Sequence, residues 1–158
     1  MATANQVSDK RQLSGQRVIA PCEVIADTAN PYAWNPVRCG YMVLNVRGGC
    51  LYLGEVFDDK DIDTMFPRDG RGLFTSLTLC AENAPEVVLE NVHVAFKRIN
   101  KHADRDGIVF TFLDLSEEQL DTLLRAIDTL PRIGRKEEAS VPLEKVISLN
   151  KSDRLTLL

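Results

Sequence analysis

The sequence is short of histidine, aromatic residues and basic charge. Only His93 and His102 occur, one between valines and one in a polar turn. Aromatic residues make up 6% of the 158 residues, with a single tryptophan. That is thin for a surface that binds oligonucleotides by stacking. The formal charge of −4 argues against a duplex-DNA binder, which usually shows a basic face. A small anionic ligand needs only a local cluster of arginines and stays open. No apolar run reaches the ~18 residues of a membrane span. The stretch Met1 to Leu13 is polar and lacks the apolar core of a secretory signal, so the cytoplasm is the expected location. No C-x-x-C pair occurs. Cys22, Cys39, Cys50 and Cys80 lie singly in or beside apolar runs, as expected of buried, reduced thiols. The signatures G-x-S-x-G, H-E-x-x-H and G-x-x-x-x-G-K-[ST] are missing too. No enzyme and no cofactor are expected.

What is present suits an ordinary globular domain: 44% hydrophobic and 27% charged residues, enough for a core without disulfides or metal. Residues 1–9 read as a disordered start, 10–130 as one domain and 131–158 as a tail. Six strands are expected, over Arg17–Ala26, Val37–Leu44, Cys50–Val56, Leu73–Cys80, Val87–Ile99 and Gly107–Leu113. Pro21 suggests an edge or a bulge in the first, and Glu90-Asn91 a bend in the fifth. One helix follows. Asp114 or Ser116 can cap it, with Gln119 at the capping-box position. Leu120, Leu123, Leu124 and Ile127 form its apolar stripe. Strands in succession without helices between them point to an antiparallel barrel or sandwich. The tail piece Val141 to Leu149 is amphipathic enough to dock on the domain, a partner or a second copy.

The stretch Tyr41 to Leu53 is central: two apolar runs hinged on Asn45-Val46-Arg47-Gly48-Gly49. Glycine permits φ > 0 and asparagine bonds its own backbone locally, so a tight strand-turn-strand is expected. It is either a plain hairpin or an anion-binding concavity in which backbone N–H groups and Arg47 converge. Other candidates have blander readings. His93 alternates with Val92 and Val94 and reads as a solvent-facing or satisfied strand histidine rather than a base. Asp58, Asp59, Asp61 and Asp63 lack the glycine and glutamate of a calcium loop and read as a solvated surface, with room for one helical turn ending at Pro67. Arg68 to Gly72 reads as a solvated turn, and Trp34 as a loop-end anchor on the core.

The order of elements resembles the PilZ domain, the bacterial receptor module for cyclic di-GMP. The likeness covers about Lys10 to Leu130. It rests on the arginine-bearing lead-in Lys10 to Val18, the step Asn45 to Leu51, and the ending Gly107 to Leu115 running into the helix. The family carries R-x-x-x-R before the first strand and (D/N)-x-S-x-x-G between the second and third. Here five residues rather than three separate Arg11 from Arg17, and Leu13 holds the strict first-arginine place. Asn45 matches the opening of the second motif, Arg47 replaces its serine, and Gly49 comes one residue early, with Cys50 in the strict place.

The resemblance implies a small six-stranded antiparallel β-barrel of the split PilZ type with a C-terminal helix. It implies a non-enzymatic effector that changes conformation on binding cyclic di-GMP and regulates motility, biofilm formation or virulence through a protein partner. Arg11 and Arg17 would clamp phosphate and guanine. Asn45, Arg47 and the backbone at Gly48 and Gly49 would hold the opposite side. The alternative is a degenerate PilZ-like interaction module that binds no nucleotide.

Overall fold

A computed structural model describes residues 16–32, 34–81, 84–101 and 105–134. In chain order the elements are β1 (Val18–Ala26), β2 (Val37–Leu44), β3 (Gly48–Leu53), α1 (Asp59–Met65), β4 (Arg71–Leu79), β5 (Val87–Asn100), β6 (Gly107–Leu113) and α2 (Glu117–Thr129). The strands form a closed antiparallel barrel in the order β1-β2-β3-β6-β5-β4. This is the expected barrel with its C-terminal helix. Closure leaves no strand edge open. It also sets β3 beside β6, two strands far apart in the chain.

Strand alternation builds the core. Val18, Ala20, Cys22 and Val24 of β1 turn inward to meet Met42, Leu44, Leu51, Phe74, Leu77, Val92, Val94 and Phe110. The rings of Phe74 and Phe110 meet edge to face at 5.4 Å. α2 adds Leu123, Ala126 and Ile127, and Leu130 follows them. Fully burying one such large apolar side chain contributes about 1.5–3 kcal/mol. Leu120 and Leu124 are only half-buried, so the stripe centres on Leu123 and Ile127.

Ser116, not Asp114, caps α2. Gln119 N–H donates to Ser116 Oγ (3.1 Å) and Ser116 N–H to Gln119 Oε1 (2.9 Å). The Gln119 amide also donates to the carbonyls of Glu90 (2.8 Å) and Asn91 (3.2 Å). The bend expected there is present: Asn91 has φ 54°. The chain leaves α2 along the start of β1. Ile19 N–H donates to the Pro131 carbonyl (2.9 Å), and Ile133 N–H to that of Arg17 (3.0 Å).

Several expectations change. Pro21 is on no edge, since β1 pairs with β2 and β4. It lies where the β4 pairing ends, and its carbonyl accepts from Cys80 N–H, so its missing N–H costs one terminal bond. β3 begins at Gly48 and stops at Leu53, leaving Val56 fully exposed. Cys22, Cys50 and Cys80 are buried, but Cys39 is exposed. Trp34 does not anchor its loop; it is 92% exposed. The tail piece 141–149 lies outside the described residues.

The acidic stretch is more than solvated surface. Asp58 caps α1 in a capping box with Asp61, and Asp61 pairs with Arg38 at 3.1 Å. The Asp58 N–H that donates to it, and then the Arg38 charge, hold the Asp61 carboxyl below the usual carboxylate range. A depressed folded-state pKa contributes stability that is complete above the unfolded value, about 3.9, and lost as pH falls through the folded one. Unfolding midpoints measured across acid pH should therefore fall more steeply for the wild type than for Asp61→Asn. Parallel curves would show that Asp61 contributes nothing.

Candidate functional site

One concavity of about 480 Å³ opens on the outer face of the barrel, where β2 ends and β3 begins. That is within the range of about 300–1,000 Å³ usual for small-ligand pockets. Arg17, Asn45, Arg47, Gly48 and Gly49 all line it. These residues were singled out from two stretches distant in sequence, and the fold brings them together. Arg11 lies outside the described residues.

The meeting follows from register. Val18 pairs with Leu44, so Arg17 arrives beside Asn45. Leu44 pairs with Gly49, and Gly48 with Thr111 of β6. The next row outward runs Ile19–Val43–Cys50–Val109–Arg98 across five strands. Val43, Cys50 and Val109 give the concavity an apolar floor. Arg98 and Asn100 of β5 join its wall.

The turn itself is built differently from expectation. No residue of Asn45 to Gly49 has positive φ, so the glycines are not there for left-handed backbone. They are there for close approach. A Cβ on Gly48 would stand against the Phe110 carbonyl of β6, and one on Gly49 would press Met42 and Phe110 at 3.2 Å. Nor are the N–H groups of Asn45, Arg47 and Gly48 open to an anion. Asn45 Oδ1 accepts from Arg47 N–H (2.8 Å) and Gly48 N–H (3.2 Å). Asn45 N–H donates to the Gly48 carbonyl (2.9 Å), and the Arg47 carbonyl accepts from Phe112 N–H (2.8 Å). Asn45 thus closes the turn and fixes the backbone that carries Arg47. The charge of the site comes from guanidinium groups instead.

Three arginines, Arg17, Arg47 and Arg98, line the concavity, and no carboxylate does among the described residues. In a chain of charge −4 this is a local reversal of sign. A cleft of one sign concentrates ligands of the other. Below it, Asn100 Nδ2 donates to the Tyr52 hydroxyl at 3.3 Å. The bond passes over Gly107, where any Cβ would collide with the Tyr52 ring and the Cys50 sulfur. Burial raises the Cys50 thiol above its ordinary range, against the opposing pull of Tyr52, Asn100, Arg17 and Arg98. Cys50 is therefore a neutral part of the floor, not a thiolate nucleophile.

Sequence reasoning missed Arg98 and Asn100. Their signal was a break in alternation: Val92, Val94 and Phe96 step by two, and the next apolar residue is Ile99. His93 and the Arg68–Arg71 turn lie elsewhere, with exposed side chains. Among the described residues, no group of three or more His, Cys, Asp or Glu could hold a metal. No described helix is long and apolar enough to cross a membrane.

No protein-family model matches the chain, and a search of curated proteins finds no match. The site thus stands on its own geometry.

If Asn45 serves the turn, its acceptor oxygen is what counts. Asn45→Ala should cost about 1 kcal/mol in denaturant unfolding, the scale of a lost hydrogen bond. Asn45→Asp, which keeps the oxygen, should stay within about 0.5 kcal/mol of wild type. Equal losses in both variants would show that the acceptor is not what matters.

Proposed function

We propose that this barrel is a cyclic di-GMP receptor of the PilZ type, non-enzymatic, that passes ligand binding on to a protein partner. The observation that carries this reading is the convergence of Arg17 and Arg47 on one concavity with an apolar floor and no acid among its described lining residues. A cyclic dinucleotide offers two phosphodiesters and two flat purines. Arginine serves both kinds of group, as a planar fork for phosphate and as a stacking surface for a base. Val43, Cys50 and Val109 give a base an apolar seat. Asn45, Gly48 and Gly49 contribute by setting the turn and the strand spacing, with Arg47 as the contacting group of that motif.

Arg17 also offers a route for the signal. Its carbonyl accepts from Ile133 N–H, just after α2. A ligand that draws on Arg17 therefore acts on the segment that follows the closing helix, which is where a partner would read the change. Regulation of motility, biofilm formation or virulence belongs to this proposal as its downstream role.

Isothermal titration with cyclic di-GMP tests the reading, with cyclic di-AMP and GTP as controls. Selective binding at micromolar or tighter affinity is expected. Arg17→Ala should weaken it at least tenfold, because a charge-assisted contact is worth about 1.5–3 kcal/mol. An absence of heat at high ligand concentration would contradict the receptor reading and favour a PilZ-like interaction module without nucleotide. Binding that survived Arg17→Ala would sink the role given to Arg17.

A further inference from the structure

β5 carries a bulge at the point where it reaches the concavity. Phe96 pairs with Phe110 of β6, and Arg98 pairs with Val109, so Lys97 is an extra residue in β5. The effect on side-chain direction is visible in burial. Val92 and Val94 are fully buried, and Phe96 packs against the same core. Strict alternation would send residue 98 inward as well. Instead Ile99 packs against the core and Arg98 is exposed. One added residue has exchanged the two faces of the strand. Arg98 and Asn100 thereby come to the outer side, in line with Val109 and Cys50.

Two further features hold this arrangement. Asn100 bonds the Tyr52 hydroxyl across the gap at Gly107, which pins the end of β5 beyond the bulge. The outward arginine also meets a wall already bearing Arg17 and Arg47, with no acid among the described lining residues. Three guanidinium groups on one wall give a cleft of one sign, which concentrates anions. A strand distorted to add a third guanidinium to such a wall is what a multiply charged phosphate ligand would need.

On the reading of the site given above, we propose that Arg98 is a ligand-binding residue, placed by the β5 bulge to pair with a phosphate across the apolar floor from Arg17. It supplies a guanidinium to a site in which Leu13 holds the strict first-arginine place. The Arg17 and Arg98 guanidinium groups flank the row Val43–Cys50–Val109, so a base lies between two phosphate-binding ends.

The test is a titration of wild type, Arg98→Ala, Arg98→Lys and Lys97→Ala with cyclic di-GMP and, separately, with pyrophosphate. Melting temperature serves as the fold check. Arg98→Ala should weaken cyclic di-GMP at least tenfold with an unchanged melting temperature. Arg98→Lys should fall between, because lysine keeps the charge and loses the fork. Lys97→Ala removes the same charge one residue away, outside the concavity, and should change affinity less than threefold. Equal losses in Lys97→Ala and Arg98→Ala would reduce the effect to net charge and overturn the assignment. Cyclic di-GMP binding that survives Arg98→Ala would overturn Arg98 and leave the receptor reading standing. Pyrophosphate bound by wild type and lost in Arg98→Ala, with no binding of cyclic di-GMP, would uphold the phosphate role and overturn the receptor reading. A wild type that binds neither probe overturns both.

Discussion

The pairing of β3 with β6 is the constraint on which the rest depends. It joins strands separated by α1, β4 and β5, and it is part of what closes the barrel. Gly48 makes it feasible, because its missing side chain lets β3 lie against the Phe110 carbonyl. Once these strands meet, register sets the outer-face row from Ile19 to Val109, and the bulge at Lys97 brings Arg98 into it. Arg17 at one side and Arg98 at the other are then separated by the width of the β2, β3 and β6 strands. The concavity is thus a consequence of closure, not an appendage to it.

Electrostatics sets this patch apart from the rest of the molecule. The two helices carry acids in their first turns, Asp59 and Asp61 in α1 and Glu117 and Glu118 in α2, where they complement the helix dipole. The described residues that line the concavity include three arginines and no acid. The chain thus combines a negative total with one positive cleft. The buried Cys50 and Tyr52, with the partly buried Asn100, form a neutral, hydrogen-bonded layer beside that charge.

Much of the fold was legible because it obeyed local rules. The Gly107–Leu113 strand, the Ser116–Gln119 box and the stripe through Leu123 and Ile127 each follow one period or one cap. The barrel followed from successive strands without helices between them. The site was legible only in part. Arg17, Asn45 and Arg47 stood out by residue type near glycine, but the roles of Asn45, Gly48 and Gly49 depend on the neighbouring strand. Glycines that look like turn residues are contact residues here because β6 passes so close. Arg98 was hidden by the bulge at Lys97, which inverts the faces of β5 after Phe96. Strict alternation, the rule that found the strand, places Arg98 on the wrong side. Trp34 shows the opposite failure: a large aromatic expected on the core lies open to solvent.

The central claim is that the face bounded by Arg17, Arg47 and Arg98 receives a cyclic dinucleotide. Backbone amide shifts recorded by NMR as cyclic di-GMP is added test it most directly. The account predicts saturable changes concentrated at Arg17, at Asn45 to Cys50, at Arg98 to Asn100 and at Val109 to Thr111, with α1 silent. A spectrum unmoved at saturating ligand, or changes confined to the loop of Tyr32 and Trp34, would contradict it.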